Sequence, residues 1–218
     1  MRGFKPFSSG HSGQMCTAGS RIFVQEGVYD NFMKELHQAS QAAKPGDVFD
    51  PSTTHSPLVS ETQLKVRCIR ACVLSALDVY FVWSQRVMGY IESGKGDGAK
   101  VLTGGGRLSD SGYFVQPTIF TDAKPSMKIV QEEIFGPVAV VVKFKTEEEA
   151  LKMANDTTYG LGANVFTTNI SRATRLAASI ESGSVWVNMA SAPDFRVPFG
   201  GFKQSGQGKE MGEYALEA

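Results

Sequence analysis

The 218-residue sequence has no surplus of charge: 22 lysines and arginines face 22 aspartates and glutamates. Without a net field nothing draws in a polyanion or an anionic bilayer, which argues against nucleic-acid and membrane partners. Cysteine is scarce. Cys16, Cys68 and Cys72 form an odd set of three, unlike the dense even sets of small secreted scaffolds, and point to a reducing, cytoplasmic compartment. Cys68 and Cys72 lack metal-site partners nearby, so no metal is expected. No apolar run follows Met1-Arg2-Gly3-Phe4-Lys5-Pro6-Phe7, so no secretory signal is read there. Val66 to Trp83 is too short for a membrane span and is interrupted by Arg67, Arg70 and Asp78. No fixed-period repeat is visible. Apolar residues make up 42% of the chain, enough for a real core, which excludes a disordered reading.

What is present is an alternation of periods. Arg21 to Gln25 is a β-type run, and Val28, Phe32, Leu36 and Ala39 then recur at helical spacing. Pro137 to Phe144 is a near-continuous apolar strand. Thr146 followed by three glutamates is a capped helix start, Leu151 and Ala154 continue its face, and Gly160 and Gly162 stop it. Ala163 to Thr167 predicts a strand, Ser171 to Ile180 a helix capped by Gly183, and Ser184 to Asn188 another strand. Such alternation predicts an α/β fold with a largely parallel sheet covered by helices.

The chemistry centres on Cys16. Small, flexible residues surround it in Gly13-Gln14-Met15-Cys16-Thr17-Ala18-Gly19-Ser20-Arg21, just before a strand, so backbone amides can approach the sulfur. A thiolate there can attack a carbonyl carbon while its own amide donates to the developing oxyanion. The residues alone leave open a buried structural cysteine. They also leave Glu132-Glu133-Ile134-Phe135-Gly136-Pro137-Val138 as a turn with solvated acids. Likewise Gly200, Gly201, Gly206 and Gly208 fit a loop that ties down a domain end.

Taken together, these segments resemble the aldehyde dehydrogenase superfamily. The cysteine segment is similar to the active-site signature, with Cys16 as nucleophile and Met15 and Thr17 flanking the substrate. The Glu132–Val138 segment resembles the second signature, which implies that Glu133 holds the nicotinamide ribose and Phe135 packs beside the ring. Pro198 to Gly206 resembles the third, which places Phe199 on the floor between cofactor and substrate. Gly183 to Asn188 is similar to the strand leading to the substrate tunnel, so Met189, Ser191 and Phe195 become candidate tunnel walls. Gln63 falls where the family places a glutamine near the cofactor's ribose.

The resemblance implies the catalytic domain of that fold and oxidation of a small aldehyde to a carboxylic acid, with NAD or NADP, through a cysteine thioester. In the family the general-base glutamate, the oxyanion-hole asparagine and the Rossmann-type glycine turn lie upstream of the cysteine signature. The cofactor-binding domain is therefore expected to be largely absent from these residues, and the chain inactive alone. The alternative is an inactive partner of full-length aldehyde dehydrogenase subunits, and oligomers with itself or with such subunits stay open. His11 and His37 invite a Cys/His base reading, but such residues lie more often in solvent or loops.

One stretch breaks the resemblance. Family members run almost directly from Ser60-Glu61-Thr62-Gln63 into Arg86-Val87-Met88-Gly89-Tyr90-Ile91, whereas here 22 residues, Leu64 to Gln85, intervene. Because the flanks rejoin into family-like sequence, residues 64–85 read as a translated short intron inside one partial catalytic domain, 1–218. An added amphipathic helix with Val66, Ile69, Val73, Ala76, Tyr80 and Trp83 on one face is the alternative.

Overall fold

Five consecutive apolar residues, Val138 to Val142, are buried. A strand buried on both faces needs cover above and below it, and the chain supplies that cover. The computed structural model describes residues 12–64, 87–189, 192 and 194–216. His11, Ser191, Cys68, Cys72 and all of the 64–85 stretch except Leu64 lie outside them.

The chain order is β1 (Arg21–Gln25), α1 (Tyr29–Gln41), α2 (Glu61–Leu64), α3 (Val87–Gly96), β2 (Lys100–Thr103), β3 (Thr118–Thr121), α4 (Lys128–Gln131), β4 (Val138–Phe144), α5 (Glu147–Asn155), β5 (Gly162–Val165), α6 (Ile170–Ser179) and β6 (Ser184–Val187). Four strands form a sheet in the order β1-β4-β3-β2; β1, β4 and β3 are parallel and β2 is an antiparallel edge. The remaining two, β5 and β6, pair in parallel as a second sheet. The α/β class predicted from the alternation is the one observed.

Side chains alternate across β4 as strand geometry requires. Val138, Val140 and Val142 join Val87, Ile91, Phe120 and Ile129 on one face. Ala139 and Val141 face Ile22, Val24, Leu36 and Ile119 on the other.

Local sequence sets the helix ends. Thr146 caps α5 by accepting from the Glu149 N–H at 3.2 Å, while the Glu149 carboxylate turns back to the Lys145 N–H at 2.8 Å. Asn169 caps α6 in the same way, accepting from the Arg172 N–H at 2.9 Å.

Besides the stop of α5, which falls at Asn155 while Gly162 opens β5, three expectations need correction. First, α1 buries Leu36 and Ser40 and half-buries Tyr29, Phe32 and Met33, whereas Val28 and Ala39 are exposed. A turn of 3₁₀ helix, Glu26–Val28, delays the start and rotates the inward face. Second, α6 is closed by Ile180, not Gly183. Gly183 is glycine because a Cβ there would drive into the Gly200 carbonyl. Third, β5 ends at Val165, two residues early. There the Asn188 side chain replaces the ladder, accepting from the Thr167 N–H at 2.9 Å and donating to the Thr167 carbonyl at 2.8 Å.

Candidate active site

Topology brings the motifs together. Cys16 lies in the loop that feeds β1, and Glu133 and Phe135 lie in the loop that feeds β4. Because β1 and β4 are parallel neighbours, both loops emerge at the same amino-terminal edge of the sheet.

The two loops meet backbone to backbone. Gly13 has φ +72°, and a Cβ on it would drive into the Gly136 carbonyl. Between them lies a small cavity of about 30 Å³ lined by Gly13, Met15, Ala18, Glu133, Phe135 and Gly136, among others. That is room for a water or the tip of a small polar group.

Cys16 is exposed, on a turn closed by the bond from the Ala18 N–H to the Met15 carbonyl at 2.9 Å. The turn thus holds its thiol at the surface, not inside apolar packing. Thr17 lies on the side of the second sheet, where a Cβ on Gly162 would meet Thr17 Cγ2 at 3.6 Å and Trp186 Cζ3 at 3.0 Å.

The two glutamates separate in role. Glu132 accepts from the Tyr90 hydroxyl at 2.9 Å and has Lys128 Nζ at 3.7 Å. Burial, and then this bond, push the Tyr90 phenol up from its ordinary value. Glu133 is exposed as a residue, yet its carboxyl beside the cavity is desolvated, which raises its pKa above the ordinary carboxylate value. Phe135 is held at φ +56°, a conformation unusual for a residue with a side chain. Its carbonyl accepts from Gln63 Nε2 at 2.9 Å.

Met15, Glu133 and Phe135 therefore share one cavity, with Gln63 bonded to its wall, while Cys16 and Thr17 follow Met15 in the chain and do not themselves line it. Met189, Phe195 and Phe199 do not line it. They belong to the chain after β6, where Phe199 pairs through its backbone with Glu210 at 2.7 Å in both directions. Phe195 is 78% exposed beneath the Arg196 guanidinium, itself forked onto Asp194 at 2.9 and 2.7 Å. His37, on α1, is not among the cavity's lining residues. Sequence reasoning missed Ser12, Gln14 and the stretch Ser56–Val59, which anchor the cysteine loop. No motif marks the last of these.

Among the described residues no helix is long and apolar enough to cross a membrane, and no cluster of three His, Cys, Asp or Glu residues could hold a metal ion.

An exposed thiol on a glycine-rich turn, next to a turn that carries a desolvated carboxyl and an aromatic ring at one end of a parallel sheet, is an arrangement that covalent catalysis can use in an α/β domain. The family model for the aldehyde dehydrogenase family matches residues 4–69 and 83–218, and the chain belongs to that family. An aldehyde dehydrogenase of Enchytraeus buchholzi is 47% identical over 206 residues, 94% of this chain and 37% of that protein. The human mitochondrial aldehyde dehydrogenase is 44% identical over 208 residues, 95% of this chain and 36% of that protein. A solved NAD+ complex of an aldehyde dehydrogenase from Bacillus cereus matches with a TM-score of 0.83 at 41% identity, covering 94% of this chain and 38% of that one. The chain thus spans a little over a third of the length of these relatives.

Proposed function

We propose that this chain carries the nucleophile of an enzyme that oxidises small aldehydes to carboxylic acids with NAD or NADP. The observation that carries the reading is the convergence of the Cys16 turn and the Glu133–Phe135 turn on one cavity.

The Cys16 thiolate adds to the carbonyl carbon; the carbon–sulfur bond forms and the π pair moves to oxygen, where the Cys16 N–H donates. Glu133 and Phe135 fit a nicotinamide nucleotide, because a desolvated carboxyl accepts from ribose hydroxyls and an aromatic face packs beside a planar ring. Bound nucleotide supplies the hydride acceptor. Water then cleaves the carbon–sulfur bond of the thioester, releasing the acid and regenerating the Cys16 thiol. Met15 and Thr17 border the reacting carbon, and Met189, Phe195 and Phe199 form the wall along which the aldehyde approaches. The scarcity of cysteine supports a reducing, cytoplasmic setting. Residues 1–218 make up one partial catalytic domain, with an addition to it that is narrower than the expected 64–85, because the family match runs to residue 69 and resumes at 83 and Leu64 is part of the core.

The upstream glutamate and asparagine that the resemblance calls for are not among these residues. Losing a general base costs ~10²–10⁴ in rate, and losing one oxyanion donor ~10²–10³. The 218-residue polypeptide alone is therefore expected to form no NADH or NADPH from short aldehydes, read by absorbance. It still acylates at Cys16 with a nitrophenyl ester, and Cys16→Ala returns that reaction to background. Undiminished acylation in Cys16→Ala would sink the reading.

A second reading, association with aldehyde dehydrogenase subunits or with copies of itself, draws on apolar side chains left in solvent. Phe49, Val59, Ile170, Phe195 and Val197 are all exposed. Co-purification with a full-length subunit tests it.

A further inference from the structure

The cysteine turn and the Glu133–Phe135 turn touch each other, and each is also tied to the same short stretch, residues 56–63. On one side, Ser12 Oγ donates to the Ser56 carbonyl at 2.7 Å. Next to it the Gln14 amide bonds twice: Oε1 accepts from the Val59 N–H at 2.9 Å and Nε2 donates to the Pro57 carbonyl at 3.4 Å. On the other side, Gln63 Nε2 donates to the Phe135 carbonyl at 2.9 Å, with the Ile134 carbonyl at 3.5 Å.

The stretch between these attachments is itself fixed. Leu58 and Leu64 are buried in the core. The Leu58 N–H donates to the Tyr113 carbonyl at 2.9 Å, and the Gln63 N–H bonds to both the carbonyl and the hydroxyl of Ser60 at 3.2 Å.

The attachments fall where the backbone is under strain. Ser12 has φ +49° and Phe135 φ +56°. Such conformations persist in residues with side chains only where the surroundings over-determine them, and they concentrate at functional sites.

We propose that residues 56–63 form a bracket that sets the spacing between the Cys16 turn and the Glu133–Phe135 turn, with Gln14 and Gln63 as its positioning residues. The inference rests on Cys16 being the nucleophile. Neither glutamine touches the reacting atoms; each holds a loop that does. Both glutamines act on the one spacing between the loops, with Ser12 a further tie on the cysteine side, so their effects are coupled.

The test is Cys16 acylation by nitrophenyl acetate, read by mass at the Cys16 peptide and well below each variant's melting temperature. Gln63→Leu and Gln14→Leu keep bulk but lose the amide, and each slows acylation about tenfold. The double variant is no slower than the slower single one, because the attachments are coupled. Gln63→Lys restores an N–H donor within reach of Phe135 and returns the rate to within about twofold of the parent. Three results overturn the bracket: singles within about twofold of the parent, a double that multiplies to about a hundredfold, or Gln63→Lys as slow as Gln63→Leu. Should Cys16→Ala release nitrophenolate as fast as the parent, the nucleophile reading fails separately. The amide resonances of Gly13 and Gly136 then decide. A Gln63→Leu that moves the Gly13 resonance supports the bracket, and one that leaves it in place overturns it.

Discussion

The interior of β4 and the loop that feeds it lie a few residues apart and obey opposite rules. Val138 to Val142 are buried, and their alternation serves two cores at once. Just before them, Glu133 keeps a desolvated carboxyl beside a cavity and Phe135 holds a positive φ. The first region gains stability from every contact, while the second holds an unfavourable carboxyl and an unfavourable dihedral because the rigid strand next to it leaves no room to relax. The Glu133 and Phe135 side chains are therefore carried by the sheet without joining its core, although Ile134 between them does, and effects on site and core should separate under mutation.

Gly13→Ala is the most severe way to break that separation. The new Cβ meets the Gly136 carbonyl at a φ of +72°, so the cysteine turn must shift. A displacement on the scale of an ångström costs on the order of a hundredfold in Cys16 acylation. The melting temperature, read by calorimetry, falls by a few degrees only. A Gly13→Ala protein that acylates at the parent rate contradicts the view that the two loops fix each other.

Leu36→Ala probes the opposite corner. Leu36 is fully buried under the sheet in the cluster with Ile22 and Val141. Its truncation is expected to cost about 2–5 kcal/mol by denaturant titration. Cys16 acylation at low temperature stays at the parent rate. If the rate falls in step with stability, site and core are one cooperative unit after all.

Glu133→Gln gives the smallest effect and sharpens the contrast through pH. Desolvation raises the folded pKa of Glu133 above its ordinary value of 4.5. A carboxyl raised in the folded state favours folding at low pH and loses that contribution as pH rises through the folded value. The glutamine variant should thus match the parent below the ordinary carboxylate range and be slightly more stable at neutral pH. A variant less stable than the parent at pH 7 means that Glu133 is a structural partner.

How much of this was legible depended on the range of the interaction involved. The β4 run, the Thr146 cap on α5 and the strand-helix alternation follow from neighbours in sequence, and all stand in the structure. The inward face of α1 was read correctly at Phe32 and Leu36 and missed at its ends, where Val28 belongs to the preceding 3₁₀ turn and Ala39 is exposed. Gly183 looked like a helix cap because the residue it makes room for, Gly200, is distant in the chain. The role of Gln14 lies inside a recognisable signature, yet its partners Pro57 and Val59 carry no pattern of their own.

By itself the sequence determined the periods of β1, β4, α5, β5, α6 and β6, the Thr146 start of α5 and the family to which the cysteine segment belongs. These depend on side chains a few positions apart and on motifs whose order survives without folding. Only the tertiary structure decided that the loops before β1 and β4 meet, that Glu133 is desolvated while Glu132 binds Tyr90, and that one stretch holds both loops. Each of these needs two strands to become parallel neighbours, and that adjacency is created only when the shared core closes.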